Sequence, residues 1–288
     1  MSERRIDPVF GLVAVIALAA SGLAFSISSS LAVAASDEEI RVVFVDGGAT
    51  GVPNASTQAL MDVVSGFADG NSWAVEHRNR STGSTDMIGV DVVWVPDQFG
   101  TGGLDRWVGL DVPTLWSHEK VGDWSAPVVD EDYATGWYNE YTPYDSTYPL
   151  ELAHAVPASL GWSTDLDAQG RPINGERQFL TETNWHFSYL RSQLGPGADL
   201  VMLYYPDPPD SPYTESTAFV AAAAYEPGAE MANGTVAQAR RLLFGLNRYA
   251  HPALSAEGGE FARGALTWLA DAATSPTPDH DGADDLEW

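Results

Sequence analysis

Six short apolar runs, each followed by polar or turn-forming residues, constrain the fold of this chain more than any other feature. They are Arg41–Val45 (RVVFV), Val90–Val95 (VDVVWV), Val112–Trp116 (VPTLW), Ala198–Tyr205 (ADLVMLYY), Phe219–Ala224 (FVAAAA) and Arg241–Leu246 (RLLFGL). Such near-continuous runs suit strands buried on both faces, as in a parallel sheet covered by helices. Trp73–Glu76 reads as a shorter strand. Between the first two strands, Asn54–Asp69 places Leu60, Val63, Val64 and Phe67 on one helical face and is bounded by Gly70. Thr181–Leu194 reads as a second helix carrying Trp185, Tyr189 and Leu190. A closing helix starts near Ala256, with Ser255 as N-cap, Glu257 and Glu260 at the positive end of the dipole, and Phe261, Ala265, Trp268, Leu269 and Ala272 on one face. This order predicts an α/β domain over residues 37–273: a doubly wound, mostly parallel sheet flanked by helices.

In such a sheet, ligands sit outside the carboxyl ends of the strands. Three strand ends therefore hold the candidate catalytic residues: Asp46 in Asp46-Gly47-Gly48, Asp97 in Pro96-Asp97-Gln98, and Ser117, His118 and Glu119. The first lacks the G-x-G-x-x-G pattern of a dinucleotide fingerprint and reads as a tight turn with a solvated carboxylate. Ser117-His118 has no G-x-S-x-G elbow, and neighbours on an extended chain point to opposite sides, so the pair alone makes no triad. The histidines are scattered, with no H-x-x-x-H pair, so no metal site and no cofactor is expected.

Residues 130–191 break the pattern. Tyr133, Trp137, Tyr138, Tyr141, Tyr144 and Tyr148 are interleaved with Asp130, Glu131, Asp132, Glu140 and Asp145. Rings beside carboxylates suit a sugar-binding groove, where pyranose faces stack and hydroxyls bond to acids. The alternative is a long loop pinned over the sheet by its aromatic residues, with its acids outward. The tail, residues 274–288, is polar and acidic and is expected to be disordered.

Charge narrows the setting. The chain carries 40 Asp+Glu against 14 Lys+Arg, a net charge of -26, and Lys120 is its only lysine. Spread along the chain, that excess self-repels unless concentrated salt shortens the Debye length to ~3 Å. It points to a halophilic archaeon, and it excludes nucleic acid as a partner because no Lys/Arg cluster exists to meet phosphates. With no cysteine, disulfides and thiolate chemistry are absent.

At the N-terminus, Arg4 and Arg5 precede Val9–Ser36, which contains no charged residue and is long enough to cross ~30 Å of hydrocarbon. Residues 1–36 read as a membrane anchor that leaves the domain outside the cell, or as a secretory signal cleaved near Ala32-Val33-Ala34. Three sequons, at Asn54, Asn79 and Asn233, fit an exported glycoprotein.

Taken together, RVVFVDGG, VDVVWVPD, VPTLWSHE, HAVPASL, GADLVMLYY, FVAAAAYEPGAEMANGTVAQARRLLFGL and ALSAEGGEFARGALTWLADA resemble domains of the class I glutamine-amidotransferase-like superfamily. More narrowly, they resemble the trehalose-utilisation (ThuA-like) and related flavodoxin-like modules of exported proteins. The likeness is strongest over Ala223–Ala273, with Tyr225, Glu226, Gly228 and the Arg240-Arg241 pair. It implies a flavodoxin-like fold. The amidotransferases rely on a nucleophilic cysteine with a histidine partner; this chain has none, and Ser117-His118 falls in the corresponding region. The resemblance therefore implies a non-catalytic domain; joined to the apolar N-terminus, the acidic surface and the aromatic region, it leads to the expectation of an extracytoplasmic domain that binds a glycan or another envelope protein. Two alternatives are a carbohydrate-active or ester hydrolase built on the strand-end loops, and a structural component of a pilus, envelope or virion.

Overall fold

The computed structural model describes residues 39–48, 52–68, 71–96, 104–107, 110–117, 147–149, 154–162, 175, 177–181, 189–190, 194–204, 219–232, 234–246 and 251–271, all within one unit that begins at Glu39. Among the described residues nine strands form one sheet: β1 (Glu39–Asp46), β2 (Ser72–Asn79), β3 (Val92–Pro96), β4 (Thr114–Ser117), β5 (Thr147–Pro149), β6 (Tyr189–Leu190), β7 (Asp199–Tyr204), β8 (Phe219–Tyr225) and β9 (Arg241–Phe244). The order is β2-β1-β3-β4-β9-β8-β7-β5, with β6 against β8. From β2 to β9 all neighbours are parallel. The remaining pairs are antiparallel, so the sheet, expected to be mostly parallel, carries an antiparallel wing.

The wing begins where β8 and β9 are joined by a hairpin instead of a crossover helix. Its turn contains Pro227 and Gly228, the latter at a φ of 88° that favours glycine. Within the connection, Glu230 bridges Val236 in a smaller hairpin.

The alternation of side chains along β1, β3, β4 and β9 sorts the core into two layers. Val42, Phe44, Val92, Trp94, Leu115 and Leu242 face one side, where they meet helices α1 (Ala55–Ser65), α2 (Ala155–Ser159) and α3 (Ala256–Asp271). On the other side Val43, Val45, Val93, Val95 and Trp116 pack against Trp107, Met231 and Ala237. Among the described residues all three helices cover the first face. Among the described residues the second is covered by a 3-10 turn (Leu104–Trp107) and by loops, so the expected flanking by helices is seen there on one face. The cause is local. The β2–β3 connection, RSTGSTDMIGVD, is rich in Gly, Ser and Thr, has no helical apolar period, and lays only Met87 and Val90 on the sheet.

Three sequence expectations shift. The first helix stops at Gly66, whose N–H reaches the carbonyls of Asp62 and Val63, so Phe67 lies past its end and packs edge-on against Trp73 at 5.3 Å. Tyr189 and Leu190, expected on a helix, form β6 against Val220 and Phe219. Their neighbours Trp185 and Phe187 lie outside the described residues. So do residues 1–36, the aromatic residues Tyr133, Trp137, Tyr138, Tyr141 and Tyr144, and the tail 274–288. Among the described residues no helix is long and apolar enough to cross a membrane.

Candidate functional site

Because β1 lies between β2 and β3, the strand order reverses at β1, and the carboxyl ends of β1 and β3 flank the position where sheets of this kind bind ligands. Asp46 ends β1. Its carboxylate is fully buried rather than solvated, which corrects the sequence expectation. It accepts hydrogen bonds from Gly48 N–H at 2.5 Å, Asn54 N–H at 2.7 Å and His77 Nε2 at 2.7 Å. Asp46 thereby draws the β1–α1 loop down onto the sheet and fastens the start of α1. No side chain could replace Gly48, since a Cβ there would lie 2.2 Å from the carbonyl of Val52 and 2.8 Å from Asp46 Oδ1.

His77 was not singled out by the sequence reading. It lies on β2 opposite Phe44, its side chain is only 4% exposed, and its Nδ1 has no hydrogen-bond partner among the described residues. A carboxylate only accepts, so Nε2 must carry the proton shared with Asp46. The alternation Trp73, Val75, His77 held the signal, because it puts an imidazole on the apolar side of a strand. Its partner, 31 residues away, is invisible until the strands are aligned.

Asn79, at the end of β2, completes this junction. Its Nδ2 donates to the carbonyl of Gly48, and its Oδ1 accepts from Ser81 N–H and Thr82 N–H at 2.9 Å each and from Thr82 Oγ1 at 3.0 Å. Arg80 N–H donates to the main-chain carbonyl of Asp46 at 2.7 Å. Burial pulls the Arg80 guanidinium below its ordinary pKa, and the Asp46 carboxylate opposes that pull.

Ser117, at the end of β4, is also fully buried. Its Oγ accepts the indole N–H of Trp94 at 3.0 Å, across the β3–β4 pair. Asp97, His118 and Glu119, the other strand-end candidates, lie outside the described residues, as does Asn233. The structure thus brings Asp46 together with His77 and Asn79, and leaves Ser117 in a separate contact two strands away. Neither Asp46 nor Ser117 presents its side chain to solvent.

Perturbed groups elsewhere serve packing. At the amino end of β9, an interior strand, burial lowers the pKa of Arg241 to about 10; its guanidinium donates to the carbonyls of Val112 at 2.8 Å, Arg240 at 3.1 Å and Leu110. Burial likewise pushes the Tyr225 phenol up to about 12, and its oxygen accepts Gly195 N–H at 2.9 Å. Among the described residues no group of three or more His, Asp or Glu is placed to hold a metal ion.

No family model matches the chain, and no curated protein matches it. Two solved structures are similar to it in outline, the ThuA-like proteins from Bacteroides uniformis ATCC 8492 and Parabacteroides merdae ATCC 43184. Each is 11% identical with a TM-score of 0.41; the overlaps cover 83% and 84% of this chain, respectively, and 94% of each of theirs. An overlap of this size assigns neither a reaction nor a ligand to the chain.

Proposed function

We propose that this chain is an exported α/β module of the ThuA-like, amidotransferase-like kind from a halophilic archaeon, held at or released from the cell surface, and that it binds a glycan or another envelope protein without chemical turnover. The observation that carries this reading is the state of the two strand-end candidates within the described residues. Asp46 is buried under three hydrogen bonds that tie down its own loop, and Ser117 is buried against an indole donor. A nucleophile needs an oriented base and an approachable face, and Ser117 has neither among the described residues. The missing cysteine, the uncharged N-terminal run and the charge of -26 support the same reading.

The test is turnover by the purified protein on a panel of glycosides and esters in molar salt, alongside Ser117→Ala and Glu119→Gln. No turnover above that of a heat-inactivated control is expected. Hydrolysis that either substitution abolishes would instead establish the hydrolase built on the strand-end loops.

A further inference from the structure

We propose that the protein binds one internal water molecule between the first turn of α1 and β2, where it accepts the hydroxyl proton of Thr57 and donates to Nδ1 of His77. Asp46, His77, the water and Thr57 then form a single hydrogen-bonded chain that locks the β1–α1 loop to its helix. The inference is independent of the reading of the chain as an exported binding module.

Two buried polar atoms carry it. Thr57 is fully buried, and its Oγ1 has no hydrogen-bond partner among the described residues. A helical threonine commonly returns its hydroxyl to a carbonyl of the preceding turn, and this one does not. Nδ1 of His77 is in the same state, on a side chain only 4% exposed. Since Nε2 carries the proton shared with Asp46, Nδ1 of the neutral ring is a bare lone pair. One atom is an idle donor and the other an idle acceptor, and each would cost stability if left so in the interior. A water satisfies both at once, because it supplies the acceptor that the hydroxyl needs and the donor that the nitrogen needs.

The packing of α1 brings the two residues level. This helix lies over β1 and β2 at the edge of the sheet, while α3 lies over β3, β4 and β9. At one end the Phe67–Trp73 ring contact ties the chain after α1 to the start of β2. From there back to Thr57 the helix advances roughly 15 Å at 1.5 Å per residue. The strand from Trp73 to His77 advances roughly 13 Å at 3.3 Å per residue. At the other end Asp46 holds Asn54 N–H with one carboxylate oxygen and His77 with the other, which places the start of α1 beside His77. Rotation about the helix axis agrees. Val63 faces α3, its Cγ1 3.9 Å from where a Cβ on Gly259 would stand. Thr57 lies about 120° around the axis from Val63, on the side away from α3 where β1 and β2 run.

The test is nuclear magnetic resonance of the full chain in molar KCl at about pH 8, where an unperturbed imidazole is neutral, with 15N-labelled histidine and labelled threonine methyl groups. The His77 ring is expected to carry its proton on Nε2, with Nδ1 displaced towards the hydrogen-bonded range, and the Thr57 methyl should show a cross-peak to a long-lived water. Thr57→Val keeps the shape and removes the hydroxyl; it should move the Nδ1 resonance and lower the melting temperature by roughly 2–4 °C. An idle hydroxyl predicts the opposite, since a methyl in its place would leave the melting temperature level or raise it. A Thr57→Val protein that melts no lower, an unmoved Nδ1 resonance, a proton on Nδ1, or a Thr57 methyl without a water cross-peak would each overturn the proposal.

Discussion

The imidazole of His154 is held neutral by its position. Its Nδ1 accepts Val156 N–H at 3.3 Å as the N-cap of α2, its ring meets Trp268 edge-on at 4.7 Å, and its Nε2 has no partner among the described residues. Burial lowers its pKa below 6.5; Asp199 and Glu226 pull the other way, and Arg240 adds to the lowering. Since the neutral ring carries its proton on Nε2, acid must protonate Nδ1, which turns the cap acceptor into a second donor facing Val156. The folded pKa lies below the unfolded one, so the unfolded chain binds more protons in between. The contribution is fully present above about pH 6.5 and is lost as pH falls towards the depressed folded value. Melting temperature at fixed high salt should fall from about pH 7 to pH 5, and the slope should flatten in His154→Asn, which caps but does not titrate. Equal slopes in both proteins would refute this assignment. Ser117 yields a second expectation at this scale. Ser117→Ala leaves the buried Trp94 indole N–H unpaired and should lower unfolding free energy by about 1–3 kcal/mol in urea titrations. A serine that served only chemistry would leave stability unchanged.

At the scale of elements, α3 shows how one helix is docked by its glycines. Ser255 Oγ caps it by accepting Gly258 N–H at 3.0 Å, and Glu257 in its first turn pairs with Arg177 at 3.0 Å while accepting Gln178 N–H at 2.8 Å. These contacts pull residues 177–180 across the start of the helix so closely that a Cβ at Gly258 would lie 2.5 Å from the carbonyl of Phe179. At Gly259, one position on, the nearest atom is Val63 Cγ1 at 3.9 Å. Gly→Ala inside a helix gains up to about 1 kcal/mol from propensity alone. Gly259→Ala should therefore stabilise by roughly 0.5–1 kcal/mol. Gly258→Ala should destabilise by about 2 kcal/mol or more, because backbone must move. Denaturant unfolding of the two variants side by side checks the sign of each. The cap at Ser255 and the buried face of Phe261, Ala265, Trp268 and Leu269 were legible in the sequence, because capping and period are local. The crossing segment was not, since its bridge from Leu180 to Leu254 spans distant residues. The same limit explains β6: Tyr189 and Leu190 pair with β8, and a tertiary pairing overrode the helical spacing of Trp185, Tyr189 and Leu190. At the strand ends, Asp46 and Ser117 could be located from sequence, but whether they faced water depended on His77 and Trp94, partners that only the pairing of neighbouring strands brings alongside them.

At the scale of the whole molecule the charge decides the conditions under which any of this is measurable. The described ion pairs, Arg41–Glu39, Arg78–Glu76, Arg177–Glu257 and Arg240–Glu226, are spread over separate elements and each has a partly exposed carboxylate, so each contributes little by itself. They cannot offset a formal charge of -26. At ~0.1 M salt the Debye length of ~10 Å lets neighbouring carboxylates repel one another across the surface, whereas at ~1 M it contracts to ~3 Å and only direct contacts remain. The folded state holds these charges closer together than the unfolded chain does, so screening favours folding. Melting temperature should accordingly climb by about 10 °C or more between ~0.1 M and ~2 M KCl. Chloride is the appropriate anion for the measurement, because sulfate also strengthens apolar burial by exclusion and would confuse the two effects. An uncharged osmolyte at matched water activity should reproduce little of the rise, since it adds no screening. A melting temperature that stays flat or falls with KCl would remove the physical basis for placing this chain in concentrated salt. It would also leave the near absence of lysine without the cause proposed for it.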